Sequence, residues 1–197
     1  MLPETPGSTE RFRLSFHTAD SLQEISERHS RLLEEIRRKP DLPLAMHEAG
    51  RAFAYERHDI RVGRCVLEAS SPSINGEPIL CCSATELTDR HEITKYNLWQ
   101  EVVCVMAGVA AQHAVDENGA MLGASGDLAR TEEWIKRLGL NQQQADELIL
   151  AASKAAAKMM TENIVTVRKI ANVLEQKKRI EGDEIREIMR QDRPGNI

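Results

Sequence analysis

Ala45-Met46-His47-Glu48-Ala49-Gly50-Arg51-Ala52 is the stretch that decides how this chain folds and what it can bind. Small apolar residues at Ala45, Ala49 and Ala52, with Phe53 beyond them, favour a helix able to press closely on a neighbour. On such a helix, side chains four residues apart stack on one face. Zinc hydrolases use that spacing: two histidines at i and i+4 aim both imidazoles at one tetrahedral metal, and the glutamate after the first serves as general base on metal-bound water. Here His47 and Glu48 stand in the first two roles, and Arg51 occupies the i+4 position. A guanidinium has no lone pair to donate and stays protonated at any relevant pH, so Arg51 cannot replace an imidazole ligand. Next to a dication it would repel the metal. Taken alone, the string reads as an amphipathic helix in which His47, Glu48 and Arg51 are ordinary polar residues, Glu48 and Arg51 forming a routine ion pair.

The helix carrying this string is expected over about Leu44 to His58. Before it, residues 1–19 read as a polar, flexible leader with Pro3, Pro6 and Gly7. A helix from about Leu22 to Lys39 follows, capped by Asp20 or Ser21 and stopped by Pro40 and Pro43. After it, Ile60–Ala69 and Ile79–Ala84 are the strand-like runs, and Asn75-Gly76 between them predicts a hairpin. The apolar parity slips at Gly63-Arg64, which predicts a bulge. Leu98 to Val115 is almost continuously apolar or small and predicts a buried helix. A Gly-punctuated loop then leads to a helix capped by Ser125 and closed by Gly139. Asn141 opens a long helix to about Lys178, with Leu148, Ala152, Ala155, Met159, Val167, Ile170 and Leu174 as its buried stripe. Asp183 is expected to cap a last short helix ending near Arg190. The chain therefore reads as a 1–19 leader, a single 20–190 domain and a 191–197 tail. The domain is mainly α, with a small β-hairpin or short sheet and a long C-terminal helix.

Composition sets the outer limits. The chain has 197 residues, enough for one domain, and 26 Lys+Arg against 31 Asp+Glu give a net charge of −5. That balance argues against a nucleic-acid binder, which needs a basic stripe. No apolar run approaches the roughly 20 residues of a membrane-spanning helix, and no secretory signal pattern stands at the N-terminus, so no membrane partner and a cytoplasmic location are expected. Cys65, Cys81, Cys82 and Cys104 form no C-x-x-C pair and read as buried reduced thiols. Zinc capture by Cys81 and Cys82 is disfavoured, because adjacent residues suit tetrahedral chelation poorly. No G-x-x-x-x-G-K-[ST] loop occurs, so no ATP site is expected in this chain.

Three strings occur in order: Ala45 to Ala52; Ile93-Thr94-Lys95 with Met106-Ala107-Gly108-Val109-Ala110-Ala111-Gln112; and Gly123-Ala124-Ser125-Gly126-Asp127-Leu128-Ala129-Arg130-Thr131. Together with the turn at Ile180 to Ile185 they resemble the peptidase domain of the FtsH-type ATP-dependent zinc metalloproteases over about residues 40–190. The resemblance implies a zincin-like helical metallopeptidase domain. It assigns His47 and Asp127 as zinc ligands, Glu48 as catalytic base and Arg51 to the place of the second histidine ligand. Gln112 stands where the family has glutamate, and Gly126 where it has asparagine; Gln112 reads as compatible with a solvent-facing position.

The departure at Arg51 separates three functions. The first is a pseudo-peptidase with lost or impaired zinc binding that binds a polypeptide or partner protein; Arg51 would then fill the volume of the metal and pair with Asp127 or Glu48, as a bidentate bridge where geometry allows. The second is an active zinc endopeptidase acting on unfolded polypeptides through a substitute ligand. Among histidines, His58 lies about 16 Å along the helix from His47 and cannot share its metal, while His91 and His113 read as surface residues. The third is an unrelated helical interaction protein. The resemblance also implies a homo-oligomer, a hexamer in that family, and a separate ATPase subunit if folded substrates are to be unfolded.

Overall fold

The structure, a computed structural model, describes residues 41–68, 82–88, 92–116 and 125–192. The expected leader, the helix over Leu22 to Lys39, the hairpin connection and the last residues of the tail lie outside these. Among the described residues five helices accompany one three-stranded antiparallel sheet, so the chain is mainly helical.

Helix α1 runs Leu42–Arg57, two residues earlier than expected, because Pro43 sits in its first turn where a missing N–H costs nothing. Lys178 holds the Asp41 carboxylate beside that turn at 2.6 Å. Strand β1, Val62–Glu68, follows, and the register breaks between Val62 and Arg64, the expected bulge. The slip lets Val62, Cys65 and Leu67 all face the core.

Strand β2 spans Cys82–Leu87 and so continues three residues past the expected end at Ala84. Apolar content alone misplaced it. Thr85 and Glu86 belong to the strand because each has a partner, Thr85 on α1 and Glu86 across the sheet on Arg64. Helix α2 is Leu98–His113, and helix α3 is Ser125–Arg137, ended by Gly139 at φ 71°.

Helix α4, Gln142–Lys177, is 36 residues long, and Asn141 opens it with a reciprocal capping box to Gln144. It breaks at Asn163, whose amide donates to the Met159 carbonyl at 2.8 Å and leaves the residue at φ −126°. Its buried line is Ala145, Ala152, Ala156, Met160, Val167, Ile170, Ala171 and Leu174; Leu148, Ala155 and Met159 flank it, so the stripe is centred one residue later than expected in its first half.

Lys178, at φ 61°, ends α4 and turns the chain into β3, Arg179–Glu181, where only a turn was expected. That segment is recruited by β1, pairing Ile180 with Cys65 and giving sheet order β2-β1-β3. Helix α5 is Gly182–Gln191. Its expected cap fails: Glu181 is the N-cap residue, and Asp183 lies inside the first turn, bonded to Arg186 at 2.7 Å.

The core is built where α1, α2 and α4 pack on one another, and the sheet closes over α1. Leu42, Met46, Val102, Val103, Ile170 and Leu174 are fully buried there. The α1–α2 crossing is close because it is made from small residues. A Cβ on Gly50 would fall 2.6 Å from both the Ala107 carbonyl oxygen and the Ala111 Cβ. No helix of the described residues is long and apolar enough to cross a membrane.

Candidate functional site

The polar residues of α1 point inward. His47 and Glu48 are each 1 % exposed and Arg51 7 %; the expected Glu48–Arg51 ion pair is present at 3.6 Å, but buried instead of on a solvated face. Asp127, 5 % exposed, comes to them from the first turn of α3, where unpaired helix N–H groups favour a negative side chain. Four residues separated by up to 80 positions thus meet in one buried cluster.

Its geometry is compact. His47 Nε2 lies 3.2 Å from Asp127 Oδ2, and Arg51 Nη1 lies 3.2 Å from the same oxygen and 3.6 Å from Glu48 Oε2. Arg51 therefore pairs with both carboxylates through one nitrogen. The bidentate fork anticipated for it does not form, and its Nε is buried without a hydrogen-bond partner. Gly108 of α2 makes room for the cluster: a Cβ there would stand 2.7 Å from Arg51 Cγ and 3.0 Å from the His47 ring.

Charge distribution follows from these contacts. Burial opposes the charge on Arg51, but Glu48 and Asp127 outweigh it and hold the guanidinium proton more firmly than usual. For Asp127, burial works to raise the carboxyl, yet the His47 hydrogen bond and the Arg51 charge prevail and hold it below the ordinary aspartate range. An ionised carboxylate only accepts, so His47 Nε2 carries the hydrogen and donates it to Asp127. Its other ring nitrogen, Nδ1, is buried with no partner.

The cluster is supported on two sides. Thr85 of β2 donates its hydroxyl to Glu48 Oε2 at 2.6 Å. On the other side the Tyr55 hydroxyl accepts a hydrogen bond from Arg51 and donates to Glu101 Oε2 at 3.1 Å, and burial raises the phenol so that it stays neutral. Cys65 and Cys104 are buried free thiols, as expected for this pair, and both are raised by burial.

These residues do not fit zinc as they stand. Arg51 Nη1, 3.2 Å from Asp127 Oδ2, sets a fixed positive charge against the carboxylate a metal ion would need. The guanidinium of Arg51 fills the remaining corner with positive charge. Among the described residues no three His, Cys, Asp or Glu side chains gather closely enough to hold a metal ion. His58 caps α1 with its ring edge-on to Trp99, centroids 6.0 Å apart, and does not approach the cluster. His91 lies outside the described residues, as does the Cys81 side chain.

Gln112 is buried one turn beyond Gly108 on the same face of α2, which overturns its solvent-facing reading. Sequence reasoning also missed Thr85, Gly108, Tyr55 and Glu101 as contributors. Gly108 carried a signal, being the one residue without a side chain in the small-residue run of α2; Thr85 carried none. No known protein-family model matches the chain, and no curated protein matches it.

Proposed function

We propose that this chain is a zincin-like, FtsH-type pseudo-peptidase: a domain built as a zinc peptidase in which Arg51 has taken the place of the metal, so that the fold binds polypeptide without hydrolysing it. The observation that carries the reading is the Arg51 Nη1 contact of 3.2 Å to Asp127 Oδ2, made where the family resemblance calls for a zinc ion. A metal in that family ties the helix bearing His47 to the one bearing Asp127. Here a cation tethered to α1 makes the same tie to α3 and needs no ion from solution.

The order of the three motifs supports the family; the guanidinium in the cluster supports loss of metal chemistry. Without zinc no group here lowers the pKa of a water toward neutrality, so Glu48 has no activated water to serve. Binding is supported by the sheet: among the described residues β2 is paired on one side only, and an extended peptide can add to such an edge through backbone hydrogen bonds. A homo-oligomer and a separate ATPase that delivers unfolded chains belong to this proposal as the resemblance implies them, and a cytoplasmic location as the sequence reading expects it.

Zinc content decides it. Protein purified without chelator is expected to carry far less than one zinc per chain by elemental analysis, and Arg51→His to take up zinc near one equivalent. Stoichiometric zinc in the wild type overturns the reading in favour of an active endopeptidase. In the companion assay on unfolded casein, wild type and Glu48→Gln should show the same background, and a Glu48-dependent excess in the wild type would count for the enzyme.

A further inference from the structure

Resting on the pseudo-peptidase reading, we infer that Thr85 is a positioning residue: its hydroxyl ties strand β2 to Glu48 and keeps that carboxylate as a counter-anion for Arg51 instead of a base facing a reacting water. The loss of chemistry would then have two locks, one on the metal position and one on the glutamate.

The contacts converge on one atom. Thr85 Oγ1 lies 2.6 Å from Glu48 Oε2, and that same Oε2 faces Arg51 Nη1 at 3.6 Å. A hydroxyl has one hydrogen to give. Its other neighbours are farther away, the Glu48 backbone oxygen at 3.4 Å and Cys65 Sγ at 3.5 Å, so the hydrogen goes to the carboxylate. The Cys65 thiol, pushed up to about 12 chiefly by burial, keeps its own hydrogen and is left to donate to Thr85. A directed chain results, Cys65 S–H to Thr85 O–H to Glu48 Oε2.

A bond of this length to a carboxylate is charge-assisted and stronger than a neutral one. The Arg51 contact is too long for a hydrogen bond and exerts charge without direction. Direction is therefore what Thr85 contributes. A general base must present an oxygen within reach of the proton it takes, and the Thr85 bond fixes the orientation in which Glu48 presents both of its oxygens.

Two experiments test this, and they fail separately from the parent reading. In the wild-type background, urea unfolding of Thr85→Val, Glu48→Ala and the double variant forms a double-mutant cycle. Thr85→Val should lower the folding constant about tenfold when Glu48 is present and less than threefold when it is absent, and Thr85→Ser should restore it; equal losses in both backgrounds overturn the inference. In the Arg51→His background, with zinc added and confirmed bound, Thr85→Val should raise kcat on an unfolded peptide about tenfold with KM little changed. An unchanged or lower kcat there overturns it. If Arg51→His binds no zinc, the pseudo-peptidase reading falls, and the unfolding cycle alone decides whether Thr85 holds Glu48.

Discussion

Arg64 meets Glu86 across β1 and β2 through two N–H···O bonds of 2.7 and 2.9 Å, with the side chains 38 and 48 % exposed. Arg51 meets Asp127 at 3.2 Å and Glu48 at 3.6 Å, and all three are buried. By contact geometry alone the surface pair is the better one. Water, however, solvates Arg64 and Glu86 nearly as well apart as together, so such pairs contribute little. Arg51 has no water to fall back on, and removing a partner strands a charge in the interior. Consequence here tracks burial, not distance.

The largest expected effect comes from breaking the buried side. Asp127→Ala should lower stability in urea by about 3–5 kcal/mol, because Arg51 loses a counter-charge it cannot replace from solvent. A loss below about 1 kcal/mol would mean that Arg51 swings out to water, and the comparison would fail. Next is Gly108→Ala. The added methyl presses on Arg51 Cγ and the His47 ring; overpacking costs about 1–3 kcal/mol and better helix propensity returns up to about 1. A net loss of about 1–2 kcal/mol is expected, and a gain in melting temperature would show that the cluster is loosely packed.

pH sharpens the contrast further. Both Asp127 and Glu86 have lowered carboxyl values, but from different balances: Asp127 against burial, through His47 and Arg51, and Glu86 chiefly through its hydrogen bonds from Arg64. A lowered folded-state value means stabilisation present above the unfolded value, 3.8 for aspartate, and lost as pH falls through the folded value. The stability difference between wild type and Asp127→Asn should therefore hold from neutrality to about pH 4 and shrink below it. The reverse slope would sink the assignment of Asp127 as an ionised acceptor. Smallest is Arg64→Ala, which should shift the melting midpoint hardly at all, and less still at high salt. A shift comparable to that of Asp127→Ala would end the distinction between the two sites.

Much of this was legible in the chain. Small apolar residues announced α1, an almost continuous apolar run announced α2, Asn141 marked the start of α4, and the parity slip at Gly63-Arg64 marked the bulge. His47, Glu48 and Arg51 stand out by their spacing and Asp127 through the family resemblance, and the four converge. What failed depended on partners distant in sequence. Strand β2 extends through polar residues because α1 and β1 receive them, and Ile180 becomes strand because β1 has an open edge beside it.

Helical character and the anomaly of the site, a side chain that cannot ligate metal standing at i+4 from His47, are written in the chain, since periodicity and functional-group chemistry are local properties. Where that arginine goes is set by packing: Asp127 arrives from 76 positions away, Thr85 from a strand, and Gly108 from a second helix. Burial, counter-charge and the direction of a hydrogen bond are relations between segments, and no segment carries them alone.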